Sequence, residues 1–269
     1  MKKKLLFVFL LAFAACSAWN LIADFISGQD KGGHGETSVS APFVSSWMTP
    51  LKPLEEKAYV YLHFEDAMDT KISRIPMYVS INIVPQSLRQ AVIATEDRRF
   101  YNHGAIDPIG IIRAAAVNLY SGETIEGGST ISQQVVKNVF LSHERTLSRK
   151  IQEVILAFLL EHYYSKDDIL EIYLNTAYFG ANATGLYEAC HTYYGIAPNE
   201  LRLSQSSMLA GLLQAPTYYN PLENYDAARK RQQVVLALMA EQGYISNSQA
   251  SQVYREDLGL VDDNSIQTN

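Results

Sequence analysis

The stretch "RTLSRKIQEVILAFLLEHYY", residues 145–164, limits the fold more than any other part of the chain. Between Ile151 and Leu160 only Gln152 and Glu153 interrupt the apolar residues, so a helix here is greasy on every side. Such a helix is stable only when other helices surround it. Its one carboxylate, Glu153, would then be partly desolvated, and an unpaired buried charge costs several kcal/mol. Arg149 and Lys150 stand four and three residues earlier, within helical reach to compensate it. Two readings are open: an ion pair that fixes packing, or an acid kept for chemistry.

A second acid closes another apolar stripe. After Pro85, which suits a first helical turn, Leu88, Ala91, Val92 and Thr95 share one face, and Glu96 extends the ridge of Leu88 and Val92. A carboxylate on that ridge loses water, its pKa rises, and it becomes a better base. Asp97 is turned about 100° away. Pairing with Arg98 or Arg99 is the structural alternative. Between the two acids lies "EGGSTISQQVVKN", residues 126–138, in which Thr130 and Gln133 form a capping box that opens a helix. Such a helix start offers free N–H groups to an anion, and Gln133, Gln134 and Lys137 follow at helical spacing. The Gly-Lys-Ser/Thr ending of a nucleotide-binding loop is missing.

Helical spacing also marks "KDDILEIYLN" and the regions near 204–213 and 226–241, with Gly243 placed to stop the last. "AYVYLHF" and "MYVSINIV" predict short strands in the region 43–84. The expected class is therefore mainly α. At 269 residues the chain can bury one sizeable core with a smaller lobe. A net charge of -6 argues against nucleic acid as a partner. Cys16 and Cys190 give no disulfide framework, and Cys190 reads as a core residue.

The N-terminus carries Lys2, Lys3 and Lys4 before the apolar run 5–23, which approaches the roughly 30 Å of a bilayer interior. Residues 1–26 read as a signal anchor with its N-terminus in the cytoplasm, a cleaved signal or a lipoprotein signal ending at Cys16 being the alternatives. Residues 27–50 read as a flexible linker in which His34 is solvated, 51–250 as the folded domain and 251–269 as a tail.

Taken in order, these blocks resemble the peptidoglycan glycosyltransferases, the polymerising domain of class A penicillin-binding proteins and its monofunctional relatives. "EDRRFYNH" looks like the first motif, "GGSTISQQVVKN" the second and "RKIQE" the third. "KDDILEIYLN" with "YFGANATGLYEACHTYYG" looks like the fourth, and "LSQSSMLAGLLQAPTYYNP" resembles the fifth. The resemblance covers roughly residues 84–245. Ala105 stands where the family usually has Gly, and Ser132 replaces a common Thr.

The resemblance implies a lysozyme-like α-helical domain with a smaller membrane-contacting lobe, behind a single N-terminal transmembrane helix. It makes Glu96 the general base and Glu153 the second essential acid. Lys137, Arg145, Arg149 and Lys150 fall where the family places pyrophosphate-facing or Glu-supporting cations, and Ser129, Gln133, Gln134, Asp97, Phe100 and His103 belong to cleft-lining motifs. The implied substrate is lipid II, polymerised with inversion into β-1,4-linked glycan at the outer face of the cytoplasmic membrane. A divalent cation, Mg²⁺ or Mn²⁺, is implied as cofactor without identified ligands, and other cell-wall synthesis or division proteins as partners. The stretch 106–120, "IDPIGIIRAAAVNLY", is either the membrane-contacting lobe or an ordinary core helix. Neither Ser-x-x-Lys nor Lys-Thr/Ser-Gly occurs, so a monofunctional enzyme without a penicillin-sensitive domain is expected. The competing readings are a lysozyme-like lytic enzyme and a non-catalytic, membrane-tethered scaffold.

Overall fold

The computed structural model describes residues 58–122, 127–141 and 146–261. The N-terminal anchor and linker and Arg145 lie outside the described residues. Among the described residues no helix is long and apolar enough to cross a membrane.

The described chain is mainly helical. In order it runs through α1 (Phe64–Ile72), α2 (Gln86–Glu96), α3 (Pro108–Ser121), α4 (Ile131–Phe140), α5 (Leu147–Tyr163) and α6 (Lys166–Thr176). A two-stranded antiparallel hairpin follows, β1 (Tyr178–Gly180) and β2 (Ala183–Thr184). The remaining helices are α7 (Leu186–Tyr194), α8 (Leu203–Leu212), α9 (Tyr225–Glu241) and α10 (Asn247–Tyr254). Two groups of helices carry most of the packing: α2, α8 and α9 against one another, and α4 against α5 and α6. One continuous core joins them, with Leu88, Val92, Val135, Leu160, Tyr173 and Met208 all fully enclosed.

The two strands expected before residue 85 do not form. Residues 58–62 are helical and lead into α1; Met77 turns at φ 53°, only 78–80 run free of helix and turn, and a 3₁₀ turn follows at Ile81–Ile83. The β-like composition of the second stretch is real, but its hydrogen bonds go to side chains of α6. Val79 N–H donates to Asn175 Oδ1 at 2.8 Å, Asn175 Nδ2 returns a bond to Val79 O at 2.8 Å, and Ile81 N–H donates to Glu171 Oε2 at 2.6 Å. The backbone polar groups are satisfied, and no strand partner is needed.

The greasy helix α5 is less central than its composition suggests. Ile155, Leu156, Ala157, Leu159 and Leu160 are buried, yet Leu147, Phe158 and Tyr163 reach solvent. The most enclosed element is α8, where every residue from Ser204 to Leu212 is buried. Its small side chains let α2 and α9 approach from two sides, and the hydroxyls of Ser206 and Ser207 find internal partners, whereas Ser204 Oγ has none among the described residues. Ser206 Oγ pairs with Ser87 Oγ at 2.9 Å, and Gln232 Nε2 donates to Ser204 O at 2.8 Å and Ser207 Oγ at 3.1 Å. Cys190 is a buried core residue whose thiol is pushed up to about 12 by burial.

The hairpin turns through Ala181 and Asn182, both at positive φ, the geometry a two-residue turn between twisted strands requires. Gly180, at φ 88°, is obligatory there: a Cβ would lie 2.5 Å from Pro216 O. From 251 to 261 the chain stays on the body. The expected tail begins inside α10, and Leu258 is buried with its carbonyl receiving Gln205 Nε2 at 3.1 Å. Val261 N–H donates to Tyr193 O at 2.9 Å.

Candidate active site

Glu96 is the last residue of α2, where the buried stripe of Leu88 and Val92 runs out into a cavity of about 390 Å³. The wall of that cavity includes Glu96, Ser129, Gln134, Lys137, Arg113 and Arg231. Gln134 Nε2 donates to Glu96 Oε2 at 2.7 Å, fixing the carboxylate's orientation. Burial raises the Glu96 pKa; the Gln134 hydrogen bond and the charges of Arg231 and Lys137 oppose that rise, and Asp97 adds to it. The result is a carboxylate that takes up a proton more readily than an exposed glutamate, as a general base must.

Lys137, one turn beyond Gln134 on α4, connects this carboxylate to the second acid. Burial lowers its pKa, Glu153 and then Glu96 favour its charged form, and Arg149 and Lys150 disfavour it. Five ionisable groups from three helices therefore share one electrostatic environment. Glu153 itself is 3% exposed and stands behind the cavity wall rather than in it. Lys150 Nζ covers it, donating to Glu153 Oε1 and, at 2.9 Å, to Ser129 Oγ. The ion pair thus anchors the Gly-Gly-Ser turn to α5. Arg149 places a buried Nε beside the same cluster with no hydrogen-bond partner among the described residues.

The remaining predicted residues brace the site instead of lining it. Asp97 is turned from the cavity, as its position on the helix requires, and lies 2.7 Å from His103 Nε2 through Oδ1. Its Oδ2 accepts the Ile131 N–H at 3.1 Å, so the end of α2 is tied to the start of α4. Gln133 is consumed by the capping box, its Oε1 accepting the Thr130 N–H at 3.0 Å. Phe100 is fully buried, with Lys166 Nζ 4.5 Å above its ring. Ala105, at the departure from the usual glycine, is buried and its carbonyl receives Thr130 Oγ1 at 2.9 Å. The capping box and the Gln134–Lys137 face are where the spacing predicts them.

Two cations on the wall were not singled out from the sequence, Arg113 and Arg231, while Arg98, named there as a pairing partner for Glu96, forms an ion pair with Glu241 at 3.2 Å. Arg113 belongs to α3 and Arg231 to α9, far from the acids in sequence and on helices whose patterns look ordinary. A signal existed for Arg231 only, since it precedes Val234 and Val235 on the apolar side of α9.

No described cluster fits a protein-held Mg²⁺ or Mn²⁺ well. Asp97, His103 and Asp107 bring ligand atoms within 4.8 Å of one another. Both carboxylates are already engaged: Asp97 by Ile131 N–H and His103, Asp107 by the Ile109 N–H at 3.2 Å and by Arg99 Nε at 3.4 Å. A hard divalent cation seeks six or more oxygens, which this group does not offer.

A helical body, a desolvated glutamate at a helix end and a cationic groove beside it make up this site. The family described as Transglycosylase matches residues 67–240, and the chain belongs to it. It is 50% identical over 188 residues to penicillin-binding protein 1A/1B of Bacillus subtilis and 47% identical over 183 residues to penicillin-binding protein 1A of Escherichia coli. Each alignment covers 68% of this chain and 21% of the relative. Penicillin-binding protein 1A of Aquifex aeolicus is 43% identical over 187 residues, 70% of this chain and 26% of its own length. The chain therefore matches about a fifth to a quarter of these longer proteins.

Proposed function

We propose that this chain is a peptidoglycan glycosyltransferase that polymerises lipid II, a disaccharide-pentapeptide on a polyprenyl pyrophosphate. The observation that carries the reading is the pairing of one desolvated carboxylate, Glu96, with a cavity whose other charged lining residues, Arg98, Arg113, Lys137 and Arg231, are all cationic. Glu96 takes the proton from the 4-hydroxyl of the acceptor sugar. That oxygen bonds to the anomeric carbon of the lipid-linked sugar from the opposite face, and the bond from that carbon to the phosphate oxygen breaks. Pyrophosphate leaves with the electron pair, and the cations stabilise its growing charge. Lys137, linked electrostatically to both glutamates, is the cation placed to serve the leaving group. Glu153, through Lys150, holds Ser129 and the Gly-Gly-Ser turn against α5 and sets the charge balance around Lys137. A lytic enzyme would have no use for so cationic a wall. No step is assigned to a divalent cation.

Lysozyme-like architecture, an N-terminal anchor and a catalytic body at the outer face of the cytoplasmic membrane complete the proposal. Its support is α3, which is no core helix: Ile112, Leu119 and Tyr120 are 70%, 86% and 96% exposed. An apolar helix this open to water suits insertion at a lipid interface, where the substrate's polyprenyl chain resides.

The test is incubation of the purified full chain with labelled lipid II. Wild type is expected to make long, lysozyme-digestible glycan, and Glu96→Gln to be slower by at least about 10²-fold, the lower end of general-base contributions. The same variant should melt at or above the wild-type temperature at pH 7. Folding raises the Glu96 pKa, so the stability it lends is present below its unfolded value and lost as pH rises through the folded one. Wild type without polymer, or Glu96→Gln with normal polymer, overturns the assignment.

A further inference from the structure

Arg231 occupies a position that its helix alone does not explain. It sits midway along α9, half-buried, on the wall of the cavity that contains Glu96. Its stem lies against α8 at Gly211, where an added Cβ would come within 3.2 Å of Arg231 Cγ. Glycine inside a helix costs roughly 1 kcal/mol relative to alanine. Here it leaves room for the long side chain to pass α8 and reach the cavity. The guanidinium carbon lies 6.0 Å from the centre of the Tyr219 ring, which limits its freedom on a further side. Its Nε is buried and has no hydrogen-bond partner among the described residues. Arg229, two positions earlier, is fully used, bonding Gln232 at 2.8 Å and the Tyr254 carbonyl. Arg231 is therefore the member of the pair left for the cavity.

We propose that Arg231 is a positioning residue for Glu96, its guanidinium holding the base ionised and aimed into the groove from α9 while Gln134 holds it from α4. The inference rests on the glycosyltransferase reading of the cavity, because it assigns Arg231 a part in that reaction. The groups facing Glu96 are few enough to separate. From α4 come Gln134, which donates to it, and Lys137; from α9 comes Arg231; from α6 comes the Tyr173 ring; Asp97 is its chain neighbour. Arg98 and Arg113 share the cavity wall, and α8, the other element packed on α2, presents Gln214 from its following loop to the same cavity.

Of these, Arg231 is the largest charge opposing the effect of burial on Glu96, ahead of Lys137. The influence is mutual: Glu96 is the largest factor resisting the loss of charge that burial imposes on Arg231. Lys137 is shared with Glu153 and faces the leaving group, so its charge is partly committed when substrate is bound. Arg231 would then keep the base ionised at the start of each transfer.

The test follows the Glu96 carboxyl directly. The full chain is labelled with ¹³C at glutamate Cδ, Glu96 is assigned by its loss in Glu96→Gln, and its titration is recorded by NMR beside the pH profile of lipid II polymerisation. In Arg231→Gln the Glu96 midpoint should rise by about one pH unit, the low end for removal of a neighbouring opposite charge. The acid limb of activity should move upward with it. Lys230→Gln, which removes the same charge from the exposed side of α9, should move neither. A purely structural role for Arg231 would lower activity at every pH and leave the limb in place. In wild type the Arg231 Nε–H resonance should follow the Glu96 titration and stay flat in Glu96→Gln; this holds the idea to account even if Arg231→Gln does not fold. An unmoved midpoint in folded Arg231→Gln, or a flat Arg231 resonance in wild type, overturns the inference while polymerisation by wild type stands. A shifted midpoint in a protein that makes no polymer supports the coupling and overturns the proposed function instead.

Discussion

Lys150 shows how much one side chain carries at this site. It neutralises the buried Glu153 and bonds Ser129 Oγ, so it joins α5 to the turn that begins α4. Its own side chain is 43% exposed, which weakens the pair through solvent screening. Lys150→Met should therefore cost about 1–2 kcal/mol, less than the 3–5 expected for breaking a fully buried pair. Glu153→Gln, which keeps shape and removes the charge, should cost less in stability than Lys150→Met. Paired urea titrations of the two variants check the order. Of the two sequence readings of Glu153, the structure shows the packing ion pair, formed with Lys150 behind the cavity wall.

Among the elements, α6 does work that its amphipathic pattern hides. Asn175, 3% exposed, accepts the Val79 N–H and donates to Val79 O and Glu171 O, each at 2.8 Å. A helix side chain here takes the place of a neighbouring strand, and this is why 78–80 runs beside α6 without belonging to a sheet. Asn175→Ala leaves buried backbone groups unpaired and should cost about 2–4 kcal/mol. Hydrogen exchange at the Val79 amide should accelerate more than at α9 amides, which distinguishes local release from general loosening. The same logic explains why α8 outranks α5 in burial: composition reports how greasy a helix is, whereas small residues such as Ser206 and Gly211 decide how closely neighbours can approach.

Over the whole molecule, the groove lies where two packed helix groups meet. Glu96 and Arg231 come from the α2–α8–α9 group, and Gln134, Lys137 and Glu153 from α4 and α5. Asp97 bonding the Ile131 N–H and Thr130 bonding the Ala105 carbonyl hold the two groups in register. The segment after α10 closes the far side. Truncation after Arg255 removes Leu258 from its buried seat and the bonds its carbonyl takes from α8, at a cost of about 2–4 kcal/mol. A lower melting temperature with an unchanged Glu96 midpoint is the expected result, because this strap lies against α7 and α8 rather than the groove wall.

Local pattern was enough to place α2, the capping box at Thr130, the Gln134–Lys137 face and the stop at Gly243, because each depends on residues within a turn or two of one another. It also marked Glu96 and Glu153 as unusual, since a carboxylate on an apolar ridge conflicts with its own helix. Which neighbours answer that conflict lay beyond it: Arg231 is 135 positions from Glu96, and only the packing of α9 on α2 brings them to one cavity. Gln133, Asp97, Phe100 and His103 stand beside the cavity-facing residues in the chain, yet their side chains turn inward to bond and pack. Charge and periodicity are written along the chain; desolvation and pairing arise between helices, and the chemistry of this groove depends on both.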